Sequence, residues 1–189
     1  MNFNPAVIML KDGTQVTFRS PEAADAEKLL GYIKAASGET PFLAKYPEEW
    51  EAVSLEKEAA IIEGWAISKQ VLNIACFMPN GKIAGMCGIR CDTRLKYEHV
   101  ASVHIAILQE YWGLGIGTQM MHTLIQLAKL FGVELLELDY IEGNERARCL
   151  YEKMGFRIKA ALPNKIRFKD GSYRSLIYMQ RDMKEEYDA

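Results

Sequence analysis

The sequence predicts an α/β protein with a mixed, mainly antiparallel sheet, a central parallel strand pair, and helices on both faces. Three tight-turn dipeptides each separate two apolar stretches, as antiparallel hairpins require: Asp12-Gly13, Asn80-Gly81 and Asp170-Gly171. One stretch with helical spacing, Gly117–Phe131, lies between two further apolar stretches, so those two strands form a crossover and run parallel. Helices that alternate with strands in this order are expected to cover both faces of the sheet.

The chain is predicted to begin with a hairpin of strands Val7–Leu10 and Gln15–Arg19. A helix is expected next, because Ser20 is a favoured N-cap and Pro21 is tolerated at the first helical position. This helix is predicted to end near Ala36.

A long loop, Glu39–Trp50, contains two prolines and no clean periodicity, and long loops in compact domains are often functional. Ser54 is the predicted cap of a second helix, at about Leu55–Ser68. A second hairpin follows, with strands Val71–Phe77 and Lys82–Cys91.

The parallel pair consists of the strands Tyr97–Leu108 and Val133–Tyr140, and Gly132 ends the helix between them. Asn144 is predicted to cap a short helix that ends at Met154. The tail reads as a third hairpin, around Arg167 and over Tyr173–Met183. Because no repeat or linker interrupts this order, we expect residues 1–189 to form one domain.

The composition excludes several classes of protein. The net charge is −2 without a long basic run, which argues against a nucleic-acid partner. No apolar stretch approaches the ~20 residues of a membrane helix, and Met1–Leu10 lacks the features of a secretory signal, so no membrane partner is expected.

The four cysteines form no C-x-x-C pair, and the three histidines are scattered. Cys87 and Cys91 lie four residues apart on a predicted strand and point to one face, but no further residues complete a metal site. We therefore expect no metal, reduced and mostly buried cysteines, and a cytoplasmic location.

The most informative segment is Trp112–Thr118, between a strand and a helix. Its three alternate glycines, Gly113, Gly115 and Gly117, let the backbone approach a ligand closely and turn its N–H groups one way. The following helix adds partial positive charge, so the segment is predicted to hold phosphate. Thr118 stands where a dinucleotide-binding loop has its third glycine, and no Walker lysine is present, which disfavours a dehydrogenase or nucleotidase.

This segment resembles the signature of the GNAT acetyltransferase superfamily, Arg/Gln-x-x-Gly-x-Gly/Ala at the start of a helix. Both required glycines are present, and Trp112 takes the place of the usual Arg or Gln. A second stretch, Asn144–Phe156, is similar to the family's N-x-x-A-x-x-L-Y-x-x-x-G-F pattern at every fixed position. The resemblance covers Tyr97–Phe156.

The resemblance implies acetyl-CoA as the acetyl donor, with its pantetheine arm lying along the strand before the helix like an added strand. The parallel strands should therefore splay apart at their C-terminal ends. The residues implied in cofactor binding are Ile105, Ala106, Ile107, Trp112, Gly113, Leu114, Gly115, Ile116, Gly117, Thr118 and Asn144. For Asn144, a simple helix cap is an equally compatible interpretation.

The same resemblance implies a mechanism. An amine attacks the thioester, and a backbone N–H of Ile105–Ile107 stabilises the charge on the carbonyl oxygen. Tyr151 is implied as the general acid for the leaving thiolate, with a core tyrosine as the alternative. The base is open: Ser102 stands where related sequences often carry glutamate, and His104, on the same face, is a candidate. A structural histidine, a water-relayed base or no dedicated base are the alternatives.

The expected partner is an amine acceptor, either a small molecule or a peptide, and the resemblance makes a homodimer possible. Candidate acceptor contacts are Glu39, Thr40, Phe42 and Tyr173, for which ordinary surface or packing roles are the alternative. Two other functions stay open: use of a longer acyl-CoA, and a non-catalytic module that binds or senses acyl-CoA. Tyr151 favours catalysis, because a pure binder needs no acid there.

Overall fold

The computed structural model describes residues 1–185, in eight strands and four helices. The strands are Ala6–Met9 (β1), Gln15–Arg19 (β2), Val71–Phe77 (β3), Ile83–Cys91 (β4), Val100–Ile107 (β5), Leu135–Ile141 (β6), Arg157–Arg167 (β7) and Tyr173–Asp182 (β8). The helices are Ala26–Glu39 (α1), Leu55–Ile67 (α2), Ile116–Leu130 (α3) and Glu145–Lys153 (α4). Short 3-10 turns lie at Ala23–Asp25, Pro47–Trp50 and Gln109–Tyr111.

The strands form one sheet in the order β1-β2-β3-β4-β5-β6-β8-β7. The pairs β1/β2, β2/β3, β3/β4, β6/β8 and β7/β8 are antiparallel, and β5 pairs with β6 in parallel. The fold class is thereby confirmed: the sheet is mixed and mainly antiparallel, with a central parallel pair.

The chain divides into two compact units. The first contains Met1–Arg90 and His104–Met121, and the second contains Cys91–Val103 and residues 122–185. Strand β5 and helix α3 contribute residues to both units. The single domain expected for residues 1–189 stays a prediction.

In the first unit, α1 and α2 pack against one face of β3 and β4. Their shared core contains Leu29, Tyr32, Ala36, Ile62, Ala75, Phe77 and Ile83. Ile74 and Cys76, on the opposite face of β3, are fully buried as well. Because both faces of this strand are covered, Val71–Phe77 is largely apolar along its length rather than alternating between apolar and polar residues.

In the second unit, the parallel ladder between β5 and β6 is short. It pairs Val100 with Leu135 and ends at the pair Ser102–Glu137. Both strands continue beyond that pair, β5 to Ile107 and β6 to Ile141. The predicted splay of the two strands at their C-terminal ends stays a prediction.

The first helix begins later than predicted, and the assignment of Ser20 as its N-cap is wrong. The Ser20 hydroxyl instead accepts from the Phe3 N–H at 2.9 Å and donates to the Asn73 carbonyl at 2.8 Å. The turn Ala23–Asp25 before α1 has Glu22 as its N-cap, and the Asp25 side chain accepts from the Glu22 N–H at 2.9 Å. Because both Ser20 partners are remote in sequence, the local capping pattern gave no sign of them.

The other boundaries differ by a few residues. Strand β5 begins at Val100, because Tyr97 lies in a turn. The Tyr97 carbonyl accepts from the Val100 N–H at 2.8 Å. Strand β7 is longer than predicted and spans Arg157–Arg167. Within residues 1–185, no helix is both long enough and apolar enough to cross a bilayer.

Candidate active site

The glycine segment connects β5 to α3. Gly113 and Gly115 have φ angles of +83° and +90°, which residues with a side chain rarely adopt. A Cβ atom at Gly113 would meet no atom within 4 Å. The backbone conformation, rather than lack of space, therefore favours glycine at that position.

The start of α3 leaves a row of backbone donors open. Its first helical hydrogen bond runs from the Gln119 N–H to the Gly115 carbonyl, at 3.0 Å. The N–H groups of Ile116, Gly117 and Thr118 therefore have no acceptor within the helix. Together with the partial positive charge of the helix N-terminus, these donors suit a phosphate group.

The turn of the N-terminal hairpin lies against the glycine segment. The Lys11 N–H donates to the Leu114 carbonyl at 3.3 Å, and a Cβ built on Gly115 would lie 3.4 Å from both Cγ and Cε of Lys11. The aliphatic part of Lys11 thus runs past the glycine. This lysine brings positive charge to a segment in which Trp112 replaces the signature's Arg or Gln.

Tyr32 of α1 bridges β4 and β5. Its hydroxyl donates to the Ala106 carbonyl at 2.8 Å and accepts from the Met86 N–H at 3.2 Å. Burial raises the pKa of Tyr32, so the phenol is protonated at neutral pH. The Ala106 carbonyl, which sequence analysis considered for pantetheine binding, therefore already has a donor.

The remaining groups of β5 can be assigned to an edge by strand geometry. The Leu108 N–H donates to the Ala84 carbonyl of β4 at 2.9 Å. Because alternate residues of a strand direct their backbone groups to opposite edges, Ala106 and Leu108 face β4. Ile105 and Ile107 therefore face the other edge, beyond the last pair of the parallel ladder.

Trp112 contacts the end of this edge. Its indole N–H donates to the Ile107 carbonyl at 2.8 Å, which ties the glycine segment back to β5. Of the strand groups named from the sequence, the Ile105 N–H, the Ile105 carbonyl and the Ile107 N–H point to this edge, as pairing with an added strand would require.

His104 lies on the face of β5 that also carries Ser102 and Ala106. As a whole residue, His104 is exposed. The protein packed around its imidazole lowers the pKa of His104, and the positive charge of Arg90 acts in the same direction. The ring is therefore neutral at pH 7 and able to accept a proton.

The second unit carries the other two candidates, both on α4. Asn144 caps this helix, since its Oδ1 accepts from the Ala147 N–H at 3.2 Å. The structure thus shows the capping role, which leaves the amide N–H₂ of Asn144 to donate to a ligand.

Tyr151 is 6% exposed and packs between two aromatic rings, Tyr140 and Phe156, each with its centroid 6.2 Å away. Burial raises the pKa of Tyr151, and the negative charge of Asp139 acts in the same direction. The phenol is therefore protonated at neutral pH, as both a general acid and a core tyrosine would be.

Three of the residues considered for acceptor binding, Glu39, Thr40 and Tyr173, contact other residues of the protein. Glu39 accepts from the Gln109 N–H at 2.7 Å, and so links the end of α1 to the turn before the glycine segment. Thr40 accepts from the Phe42 N–H at 3.3 Å. Tyr173 is 48% exposed at the start of β8, with the Arg167 guanidinium 6.0 Å from its ring centroid.

The four cysteines are free: Cys76 and Cys87 are buried, Cys91 is half-buried and Cys149 is exposed. Burial raises the pKa of Cys76 to about 12, so this thiol is not ionised at neutral pH. Among residues 1–185, no group of three or more His, Cys, Asp or Glu side chains is arranged to hold a metal ion.

Sequence reasoning missed two residues of this site, Lys11 and Tyr32. Neither carries a motif, and both act on residues remote in sequence. One signal was present: Gly85 lies inside a strand, where glycine often marks a close backbone approach. A Cβ there would lie 2.8 Å from the Ala106 carbonyl oxygen that Tyr32 binds.

Known proteins resemble this chain in sequence and in structure. The family model described as "Acetyltransferase (GNAT) family" matches residues 36–156. An N-alpha-acetyltransferase of Sulfurisphaera tokodaii is 26% identical over 151 residues, which cover 78% of this chain and 83% of that protein. A GNAT-family acetyltransferase from Streptococcus pneumoniae has a TM-score of 0.80 at 26% identity, covering 88% of this chain and 99% of that chain. The YncA structure from Salmonella typhimurium, solved with its cofactor acetyl-CoA, has a TM-score of 0.74 at 18% identity, covering 92% and 97%.

The family match covers more than half of the chain and includes both segments on which the resemblance was based. It contains β5, the glycine segment and the helix that carries Asn144 and Tyr151. The family identification made from these two segments is confirmed. The chain belongs to the GNAT acetyltransferase family, and it is an N-acetyltransferase that uses acetyl-CoA.

Proposed function

We propose that this enzyme transfers the acetyl group of acetyl-CoA to a primary amine, on a small molecule or a protein, by direct attack on the thioester. The observation that carries the proposal is the row of open N–H donors at Ile116–Thr118, preceded by two glycines with positive φ. A pyrophosphate fits such a row, because it supplies several acceptor oxygens and negative charge.

Two features of the first unit support the binding of acetyl-CoA. Lys11 adds a cation beside the glycine segment, in place of the Arg or Gln that Trp112 replaces. The edge to which Ile105 and Ile107 point presents donors and an acceptor of the kind that the amides of pantetheine would pair with, as an added strand would require. Asn144 is assigned to the pantetheine by the resemblance, through its free amide N–H₂.

The proposed reaction forms one bond, breaks one bond and transfers two protons. A neutral amine forms a bond to the thioester carbonyl carbon, and the Ile105 N–H stabilises the charge that builds on the oxygen. The bond from that carbon to sulfur then breaks, and Tyr151 gives its proton to the leaving thiolate. The proton lost by the amine goes to His104, which is neutral at pH 7. The roles of Tyr151 and His104 are part of the proposal.

The acceptor is tested most directly with a panel of amines. Polyamines, free amino acids, aminoglycosides, and peptides with a free N-terminus or a lysine are each incubated with acetyl-CoA. Thiol release measures turnover, and mass spectrometry identifies the acetylated nitrogen. The proposal predicts amine-dependent thiol release that Gly115→Glu abolishes. Thiol release without an acetylated amine would overturn it.

Propionyl-CoA and longer acyl-CoAs in the same assay test the choice of donor, since the proposal predicts that acetyl-CoA has the highest kcat/KM. A higher value for a longer chain would replace acetyl transfer with longer-acyl transfer. We also propose a cytoplasmic enzyme that forms a homodimer. Sedimentation at micromolar concentration tests the dimer, which a 21.4 kDa species would contradict.

A further inference from the structure

A buried polar atom close to His104 lacks a partner. Asn73 of β3 is 4% exposed, and its side-chain Oδ1 is fully buried without a hydrogen bond to any described residue. Leaving a buried acceptor unpaired is unfavourable for the folded state. Buried acceptors are therefore almost always bonded, and this one points to a donor close by.

Gly88 brings that atom and the imidazole together. Asn73 and Gly88 are directly paired across β3 and β4. A Cβ built on Gly88 would lie 2.2 Å from Oδ1 of Asn73, 2.4 Å from Cε1 of His104 and 2.8 Å from its Nε2. The amide and the imidazole thus flank the space that a side chain at position 88 would fill, which explains a glycine inside this strand.

This row of residues lies at the edge of the helix-covered part of the sheet. The neighbouring row, two residues along each strand, consists of Ala75, Met86 and Ala106, and it packs against the core of α1 and α2. In the row of Asn73, Gly88 and His104, the first two residues are buried and His104 is exposed. His104 is therefore the residue of this row that a solute can reach.

We propose that Asn73 is the positioning residue of His104. The hydrogen bond between them is not formed as the two side chains stand. A rotation that brings Nε2, rather than Cε1, next to Oδ1 lets Oδ1 accept from the Nε2–H, which fixes the ring and leaves the lone pair on Nδ1. Nδ1 then takes the proton that the amine loses as its nitrogen bonds to the acetyl carbon. The backbone of Asn73 is held in turn by the Ser20 hydroxyl, which donates to its carbonyl at 2.8 Å. The inference rests on the proposed function, in which an amine is the acceptor.

Histidine-labelled protein tests the tautomer directly. Long-range nitrogen–proton NMR correlations report which ring nitrogen of a neutral histidine carries the hydrogen, and His104→Gln identifies the signals of His104 among the three histidines. The parent is expected to hold His104 as the Nε2–H tautomer alone, and Asn73→Ala to release a mixture. An Nδ1–H tautomer in the parent, or an unchanged tautomer in Asn73→Ala, would overturn the inference.

Kinetics with an amine found in the panel test the consequence for catalysis. Asn73→Ala should lower kcat about 10- to 100-fold with little change in KM for acetyl-CoA. When His104 is already replaced by glutamine, adding Asn73→Ala should not lower kcat further. Asn73→Asp keeps an acceptor and should rescue most of kcat. Its negative charge should also move the acid limb of the pH profile upward, against the opposing charge of Arg90.

If Asn73→Ala lowers kcat by the same factor in the parent and in His104→Gln, Asn73 has a structural role and the inference is overturned. If the tautomer is fixed as expected but no amine is acetylated, the Asn73–His104 contact stands and the proposed function fails. The two failures are therefore distinguishable.

Discussion

The hydroxyl of Tyr32 donates a hydrogen bond to the carbonyl of Ala106 across 2.8 Å, and so joins α1 to the central strand β5. This bond, with the β4 contacts of Leu108, turns the backbone groups of Ala106 toward β4. Ile105 and Ile107 are thereby turned to the edge on which we propose that pantetheine lies.

Replacing Tyr32 by phenylalanine should destabilise the fold. The ring and its packing stay, but the Ala106 carbonyl and the Met86 N–H lose their partner inside the protein. We expect the free energy of unfolding in urea to fall by about 1–3 kcal/mol. As a control, Tyr97→Phe at a half-exposed position should change it by less than about 0.5 kcal/mol. Equal stabilities for the two variants would contradict the bridging role.

Lys11→Met should weaken CoA binding while leaving the fold intact. Methionine keeps most of the aliphatic stem that passes Gly115 and removes only the charge. Calorimetry should show a loss of roughly 2- to 5-fold in CoA affinity, as for an exposed ion pair, and the loss should shrink at high salt. Lys165→Met, an exposed lysine on β7, is the control and should bind CoA like the parent. A loss that does not depend on salt would rule out a charge effect.

Tyr151→Phe should slow turnover but not donor binding. The variant retains the ring between Tyr140 and Phe156 and deletes the hydroxyl. Loss of a general acid is expected to lower kcat by about 10²–10⁴-fold with nearly unchanged affinity for acetyl-CoA. A kcat within about threefold of the parent would mean that water protonates the thiolate. Failure to bind acetyl-CoA would instead favour a packing role.

The pH profile of kcat/KM, expressed per concentration of neutral amine, should be set by His104 on the acid side and stay flat on the alkaline side. Because the pKa of His104 is lowered, the base loses its proton below its ordinary pKa of 6.5, so activity should fall only as pH drops below about 6.5. Because the pKa of Tyr151 is raised, the acid keeps its proton past pH ~10. Since ionisation of the amine affects both proteins alike, an acid limb of the parent that persists unchanged in His104→Gln would exclude this histidine as the base.

Local signals in the sequence predicted most of the fold. The turn dipeptides and the helical spacing of Gly117–Phe131 depend on residues close in the chain, and so does the cap of Asn144 on the Ala147 N–H. Capping by Ser20 failed because its hydroxyl is bound by Phe3 and Asn73, which are remote in sequence.

The candidate site also contains parts that residues close in the chain determine and parts that depend on remote residues. The glycine segment and its helix could be predicted, because their conformation follows from their own residues. The contact of Lys11 with Leu114 could not, since it depends on how a distant hairpin packs. The pairing of Asn73 with Gly88 likewise requires the register of β3 and β4, which the sequence does not state.

The central claim is that CoA binds with its pyrophosphate on the glycine segment, and calorimetry of CoA binding to Gly115→Glu tests it most directly. Glutamate there places a side chain and a negative charge against the open N–H row. Gly171→Glu is the matched control, because Gly171 also has a positive φ, of +83°, but lies in the turn between β7 and β8. We predict that the folded Gly115→Glu protein loses about 100-fold or more in CoA affinity, while Gly171→Glu binds like the parent. Unchanged CoA affinity in folded Gly115→Glu would contradict the account.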